Sequence, residues 1–117
     1  MSTITRDQSD ARLSRVVTHN GVVYLAGLTA DDVRASMKSQ TEQILKKIDA
    51  LLKVAGTDKS RLLSTLIYVT DMRLKAQMDE AWLAWVDPNN KPARACVETR
   101  LGAPEILVEI MVVAAQP

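Results

Sequence analysis

Three segments of this chain are apolar at almost every position, and they constrain the fold more than any other feature. They are residues 22–26, 62–69 and 106–115. Side chains of a strand alternate between the two faces of its sheet, so these strands are apolar on both faces. Helices can cover one face, and the second face needs another cover. Because the chain has no third helix to spare, we expect a second copy of the chain, and hence a closed homo-oligomer.

The remaining elements follow from turn signals and helical spacing. Asn20-Gly21 separates two β-branched runs and suits a type I′ turn, which predicts a hairpin. Apolar residues from Val33 to Ala55 recur at helical spacing, with Asp31 or Asp32 as the predicted cap and Gly56 as the stop.

A second helix is predicted between Asp71 and the turn at residues 87–90, with Met78, Trp82 and Trp85 on its apolar stripe. The predicted order is ββ-α-β-α-ββ, with a further short strand near Ile4. It indicates an α+β domain, a mixed sheet with both helices on one face. Residues 1–117 should form a single domain.

Composition excludes several classes of function. The net charge is +1, and the aromatic residues are two Trp and two Tyr, which argues against nucleic-acid binding. No stretch approaches the roughly 20 apolar residues that span a bilayer, and the first ten residues lack a signal-peptide pattern, so we expect a cytoplasmic protein without a membrane partner. One cysteine, Cys96, agrees with a reducing compartment. No His/Cys cluster suggests a metal, and no cofactor is predicted.

Charged residues interrupt the last two predicted strands. Arg94, Cys96 and Glu98 share one face of the first, and Glu109 shares a face of the second with Met111. Arg94 could form a structural salt bridge or hold a carboxylate with its planar fork. Glu109 could be the ion-pair partner of Arg94, or a carboxylate that exchanges protons with water in a cleft.

Two other positions are weaker candidates. Cys96 could line a cleft beside Arg94, although packing as a small apolar residue is the more common role of a lone cysteine. The loop Ala26-Gly27-Leu28 has too few glycines and no lysine for a phosphate loop, but it could offer backbone N–H groups to an anion.

Four segments together resemble the RidA family, the reactive intermediate deaminases also called YjgF. They are GVVYLAG at 21–27, QMDEAW at 77–82, PARACVE at 92–98 and VEI at 108–110. The resemblance implies a chorismate-mutase-like α+β fold and a homotrimer with clefts between subunits. It also implies that Arg94 binds the carboxylate of a 2-imino or 2-enamino acid. Glu109 would be the catalytic residue, acting on the water molecule that hydrolyses this substrate. The products would be a 2-keto acid and ammonia, and Gly27, Cys96 and Asp79 would line the cleft.

The sequence departs from the common family pattern at several positions. Ala26 stands where serine is common, Leu28 where glutamine often follows, and Asp79 where asparagine is usual; Leu13-Ser14 replaces a cleft tyrosine. These departures favour an alternative, a protein that binds a small carboxylate metabolite without chemistry. An endoribonuclease function, attached to some relatives, is a third hypothesis that charge and aromatic content do not support.

Overall fold

The computed structural model describes residues 3–117, which form one mixed sheet with two helices on one face. The order matches the predicted one, including the further short strand predicted near Ile4, which lies at Thr5–Ser9. In chain order the elements are β1 Thr5–Ser9, β2 Ser14–His19, β3 Val22–Leu25, α1 Met37–Val54, β4 Leu62–Val69, α2 Lys75–Trp85, β5 Ala93–Glu98 and β6 Val108–Ala115. Short 3₁₀ turns precede β4 and α2.

The strands lie in the order β1-β2-β3-β6-β4-β5. All neighbours are antiparallel except β4 and β5, which are parallel. A parallel pair needs a crossover, and α2 supplies it. β6, the last strand, lies between β3 and β4 in the middle of the sheet, whereas β5 forms one edge.

The predicted hairpin is confirmed. His19 pairs with Val22, and the two residues between them have positive φ, 52° at Asn20 and 76° at Gly21. Asparagine and glycine tolerate this left-handed backbone better than other residues, so the dipeptide sets both the turn and the register of β2 against β3.

Helix α1 begins later than predicted. Its cap is Ser36, whose Oγ accepts a hydrogen bond from the N–H of Ser39 at 3.1 Å. Asp32 instead accepts from the N–H of Arg34 at 3.1 Å, a local turn that competes with capping. Val33 therefore lies in the preceding loop. The predicted stop is correct: Gly56 has φ 76°, and its N–H donates to the carbonyl of Lys53.

The two faces of the sheet have different environments. The face toward the helices is a continuous apolar core, in which Val108, Ile110, Val112 and Ala114 of β6 are fully buried. The other face, here called the open face, is covered by no element of residues 3–117. Its apolar side chains include Tyr24, Leu66 and Val97, which are 46%, 38% and 44% exposed.

Neither helix in the described part of the chain is long and apolar enough to cross a membrane.

Candidate functional site

Arg94 lies on edge strand β5 and faces the helices. It pairs in register with buried Thr65 of β4, so its side chain points to the core side of the sheet. There the guanidinium stacks over the ring of Trp82, 5.5 Å from the ring centre. Its Nη1 lies 2.8 Å from Oδ1 of Asp79, and 23% of the side chain is exposed. Arg94 is therefore held in place but still reachable from solvent.

Asp79 of α2 forms ion pairs with two cationic side chains, Lys75 and Arg94. Its Oδ2 accepts a hydrogen bond from Nζ of Lys75, one helical turn earlier, at 2.7 Å, while Oδ1 contacts Arg94. Partial burial would raise the pKa of Asp79, but the hydrogen bond from Lys75 and the contact with Arg94 outweigh burial and lower the pKa. Lys75, Asp79 and Arg94, here called the cation cluster, carry one excess positive charge, which attracts an anionic ligand.

Asp79 occupies only part of the Arg94 guanidinium. Nη1 lies 2.8 Å from Oδ1 of Asp79, and no other nitrogen of the guanidinium has a partner among residues 3–117. The remaining N–H groups are suited to a ligand that offers acceptors, such as a carboxylate.

Cys96 follows Arg94 on the same face of β5. It pairs in register with fully buried Ile67 and packs against the apolar core. Burial raises the pKa of its thiol, while Lys75 and Arg94 act in the opposite direction with smaller effect. The thiol is thus mostly protonated at neutral pH and forms an apolar wall beside the cation cluster.

Glu109 lies on central strand β6 and faces away from the helices. It pairs in register with Tyr68 of β4, while its neighbours Val108 and Ile110 point into the core. Its half-buried carboxylate makes no hydrogen bond or ion pair with any residue from 3 to 117. Glu109 is therefore on the open face, with both oxygens available.

Gly27 lies directly against Glu109. A Cβ atom added at Gly27 would lie 2.5 Å from Oε2 of Glu109, closer than two such atoms can approach. Leu28, the next residue, exchanges backbone hydrogen bonds with Ile110 at 2.9 and 3.1 Å. The loop after β3 is thereby fastened to β6, and the missing side chain at Gly27 leaves room for the carboxylate.

The side chain of Gln40 forms hydrogen bonds with the backbone of the segment that precedes β6. This fully buried side chain accepts a hydrogen bond from the N–H of Leu107 at 3.0 Å and places its amide nitrogen 3.1 Å from the carbonyl of Glu105. The same nitrogen lies within 3.2 Å of the carbonyls of Val33 and Ala35. A single side chain of α1 therefore sets the path of the chain just before Glu109.

The two predicted halves of the site lie on opposite faces of one sheet. Residues paired in register share a face, and Ile67 of β4 pairs both with Cys96 and with Ile110, so Cys96 and Arg94 lie on the face opposite Glu109. The hypothesis that Glu109 is the ion-pair partner of Arg94 is wrong. That partner is Asp79.

Lys75 is the member of the cluster that the sequence analysis missed. Its spacing of four residues from Asp79 on a predicted helix could have indicated the pair.

One chain does not enclose this site. A cavity of about 630 Å³ lies at the ends of β4 and β5, lined by Thr70 and residues 98–104, and none of the predicted site residues lines it. In the described part of the chain, no group of three or more His, Cys, Asp or Glu side chains is placed to hold a metal ion. The candidate site is thus a pair of surface half-sites.

Comparisons with known proteins agree on one family. The family described as endoribonuclease L-PSP matches residues 3–116. A RutC family protein from Haemophilus ducreyi is 42% identical over 112 residues, which cover 96% of each chain. The RutC family protein YoaB of Escherichia coli is 39% identical over 97% of this chain and 98% of its own.

Solved structures agree as well. A member of the YjgF protein family from Neisseria meningitidis is 37% identical and superposes with a TM-score of 0.95, covering 98% of this chain and 96% of its own. The matches to the family, to the RutC relatives and to this structure all extend over nearly the full chain. This protein belongs to the RidA/YjgF family, as its sequence motifs predicted.

Proposed function

We propose that this protein hydrolyses 2-imino acids at clefts between subunits of a homotrimer. The observation that carries the proposal is the placement of two half-sites on opposite faces. On one face Arg94 offers a partly exposed guanidinium that Asp79 contacts only at Nη1, and on the other Glu109 offers an unpaired carboxylate. A second copy laid against the open face covers its apolar side chains and brings its own cation cluster toward Glu109.

Each half-site has a separate task in this reaction. The fork of Arg94 binds the substrate carboxylate with two parallel hydrogen bonds, which fixes the imine carbon in the cleft. Glu109 of the other subunit accepts a proton from water as the water oxygen bonds to that carbon. That proton passes to nitrogen, which gives a carbinolamine with a hydroxyl and an amino group on the former imine carbon. Glu109 then takes the hydroxyl proton and transfers it to the amino group as the C=O bond forms and the C–N bond breaks, so that ammonia leaves and the 2-oxo acid carries the oxygen of the water.

The surroundings of each group suit its task. The single excess positive charge of the cation cluster favours a monoanionic ligand over a neutral one. Cys96 and Trp82 give the guanidinium an apolar surround, in which its hydrogen bonds to a carboxylate are stronger than in water. Gly27 leaves space beside Glu109 for its carboxylate and a water.

A second candidate is a protein that binds a small carboxylate without turnover, and one observation favours it. Asp79 already neutralises part of the charge of Arg94, so a ligand carboxylate must compete with an internal one. An endoribonuclease function, which the family description names, is not supported by a net charge of +1 and an aromatic content of two Trp and two Tyr.

A coupled assay tests the proposal. An amino acid oxidase generates 2-iminopropanoate from alanine in place, and the release of ammonia is followed with and without this protein. We expect acceleration by the wild type, retained by Arg34→Ala and Glu42→Gln, which alter exposed residues elsewhere, and lost in Arg94→Ala and Glu109→Gln. Binding of pyruvate without any acceleration would instead establish the binding protein.

A further inference from the structure

We infer that Gln40 is a positioning residue for Glu109, so that its loss slows the proposed reaction without weakening carboxylate binding. The inference rests on the proposed function because it takes Glu109 as the group that accepts a proton from water. Gln40 belongs to α1, on the opposite side of the sheet from Glu109. It acts through two backbone segments that it joins, the loop between β3 and α1 and the segment before β6.

The amide of Gln40 contacts four backbone groups, and they fix its orientation. Its nitrogen lies 3.2 Å from the carbonyl oxygen of Val33 and 3.1 Å from those of Ala35 and Glu105. Its oxygen accepts the N–H of Leu107 at 3.0 Å. Turning the amide over would place an acceptor against three carbonyl oxygens. The side chain is fully buried, so solvent does not share these contacts.

The four backbone groups need a side-chain partner because they lie outside the helices and strands. Two of them precede α1 and two precede β6, where helical and ladder hydrogen bonds are not available to them. A backbone group that is shielded from water and left unpaired is costly. Without the amide of Gln40, both segments would have to move until other groups or water satisfied them.

Both segments lead directly to Glu109. Leu107, which the amide oxygen of Gln40 holds, is only two residues before Glu109. The loop that the amide nitrogen holds begins at Gly27, which lies against the carboxylate of Glu109. A shift of either segment therefore moves the carboxylate or the backbone beside it. Because a displacement of about 1 Å at a reacting group can lower a rate roughly 100-fold, such a shift affects turnover.

Two further residues of α1 hold the same loop. The side-chain oxygen of Gln43 accepts the N–H of Asp32 at 3.1 Å, and Nζ of Lys47 donates to the carbonyl of Thr29 at 2.8 Å. These contacts remain when Gln40 is replaced, whereas the segment before β6 loses the one side chain of α1 that is hydrogen-bonded to it among residues 3–117. The expected displacement is thus centred on the approach to Glu109.

Steady-state ammonia release and pyruvate calorimetry test the inference in Gln40→Met, which has a similar length and no hydrogen-bonding amide. We expect kcat to fall roughly 10-fold or more. KM and pyruvate affinity should stay within about twofold of wild type, because Arg94 lies on β5 and takes its partners from α2. If Gln40→Met does not fold, Gln40→Asn is measured instead, since it keeps a polar amide but is one methylene too short to reach the four groups.

Thr41→Val is the matched control. Thr41 is the next residue of α1 and is also fully buried, but its hydroxyl donates to the carbonyl of Met37 within the same helix at 2.8 Å. The variant loses a buried hydrogen bond without touching either segment, so kcat should remain near wild type. All variants are compared at a temperature at which their unfolding curves show a folded protein.

The position of Glu109 can also be followed without any reaction. Its carboxyl carbon resonance, identified by its absence in Glu109→Gln, should shift in Gln40→Met and stay in place in Thr41→Val. Wild-type kcat in the folded Gln40 variant, an unmoved resonance, or a loss of pyruvate affinity as large as the loss of kcat would overturn the inference. A wild type that releases no ammonia would overturn the proposed function, and the resonance would still decide whether Gln40 positions Glu109.

Discussion

Arg94 and Glu109 project from opposite faces of one sheet, with strand β4 between the strands that carry them. Neighbouring strands are about 4.8 Å apart, so two strand spacings and the thickness of the sheet separate the two groups. No rotamer change can bring them together within one chain. A reaction of the proposed kind that uses both groups would therefore need two copies of the chain.

Mixing two inactive variants should restore activity. In trimers assembled from a 1:1 mixture of the two variants, Arg94→Ala and Glu109→Gln, some clefts receive Arg94 from a Glu109→Gln chain and Glu109 from an Arg94→Ala chain. Random assembly makes about one quarter of the clefts intact, so ammonia release should recover to about 25% of wild type after joint refolding.

Each variant refolded alone is the control for that experiment. Light scattering should show the same trimer mass in all samples. A monomer mass for the wild type, or a mixture no more active than its components, would contradict a site shared between subunits.

Arg94→Lys should weaken carboxylate binding almost as much as Arg94→Ala. A lysine keeps the charge but cannot make two parallel hydrogen bonds, and it loses the flat stacking over Trp82. We expect a loss of about 2–5 kcal/mol in binding free energy by calorimetry, or roughly 30-fold or more in affinity. Affinity within about twofold of wild type in Arg94→Ala would reduce Arg94 to a structural role.

Glu109→Gln should remove turnover and spare binding. The amide has nearly the same volume but lacks the basic oxygen that takes a proton from water. Ammonia release should fall roughly 100-fold or more, while pyruvate affinity stays near wild type because Arg94 is untouched. Unchanged turnover in this variant would show that another group activates the water.

Gly27→Ala should act on Glu109 rather than on the fold. The added methyl group would collide with Oε2 of Glu109, the mobile end of a side chain, which can turn aside. We expect a stability loss of about 1 kcal/mol or less by urea unfolding, and a drop in ammonia release approaching that of Glu109→Gln. A fully active variant would mean that Glu109 functions in another rotamer.

Asp79→Asn should lower stability at neutral pH but not in acid. Burial alone would raise the pKa of Asp79, yet Lys75 and Arg94 hold it below the ordinary value of 3.8 in the folded protein. The ionised group therefore stabilises the fold at pH values above 3.8, and this contribution is lost as the pH falls through the lower folded-state pKa. Urea unfolding should show a deficit of about 1 kcal/mol at pH 7 that shrinks below pH 3.8. A deficit independent of pH would point to packing instead.

Local signals predicted most of the fold because local chemistry determines it. Asn20-Gly21 specified the hairpin through the positive φ of both residues, and Gly56 ended α1 for the same reason. The start of α1 was mispredicted because three nearby side chains could cap it. The carboxylate of Asp32 accepts a hydrogen bond from Arg34 in its own turn, so Ser36 caps the helix instead.

Motifs identified the candidate residues but not their partners. The spacing along each strand correctly grouped Arg94 with Cys96, and Glu109 with Met111. It did not reveal that Asp79 lies beside Arg94, because that contact joins a helix to a strand distant in sequence. Lys75, by contrast, contacts Asp79 at a spacing of four residues within α2, a local signal that the sequence does contain.

By itself, the sequence determined which residues of each strand share a face, since that follows from a period of two along one chain segment. It also determined that the sheet is apolar on both sides. Only the tertiary structure decided that the face of Arg94 and the face of Glu109 are different ones. That depends on the register of β5 and β6 against β4, where Ile67 meets both Cys96 and Ile110. A shift of one residue would exchange the faces, and such a register is set by long-range packing that no local pattern contains.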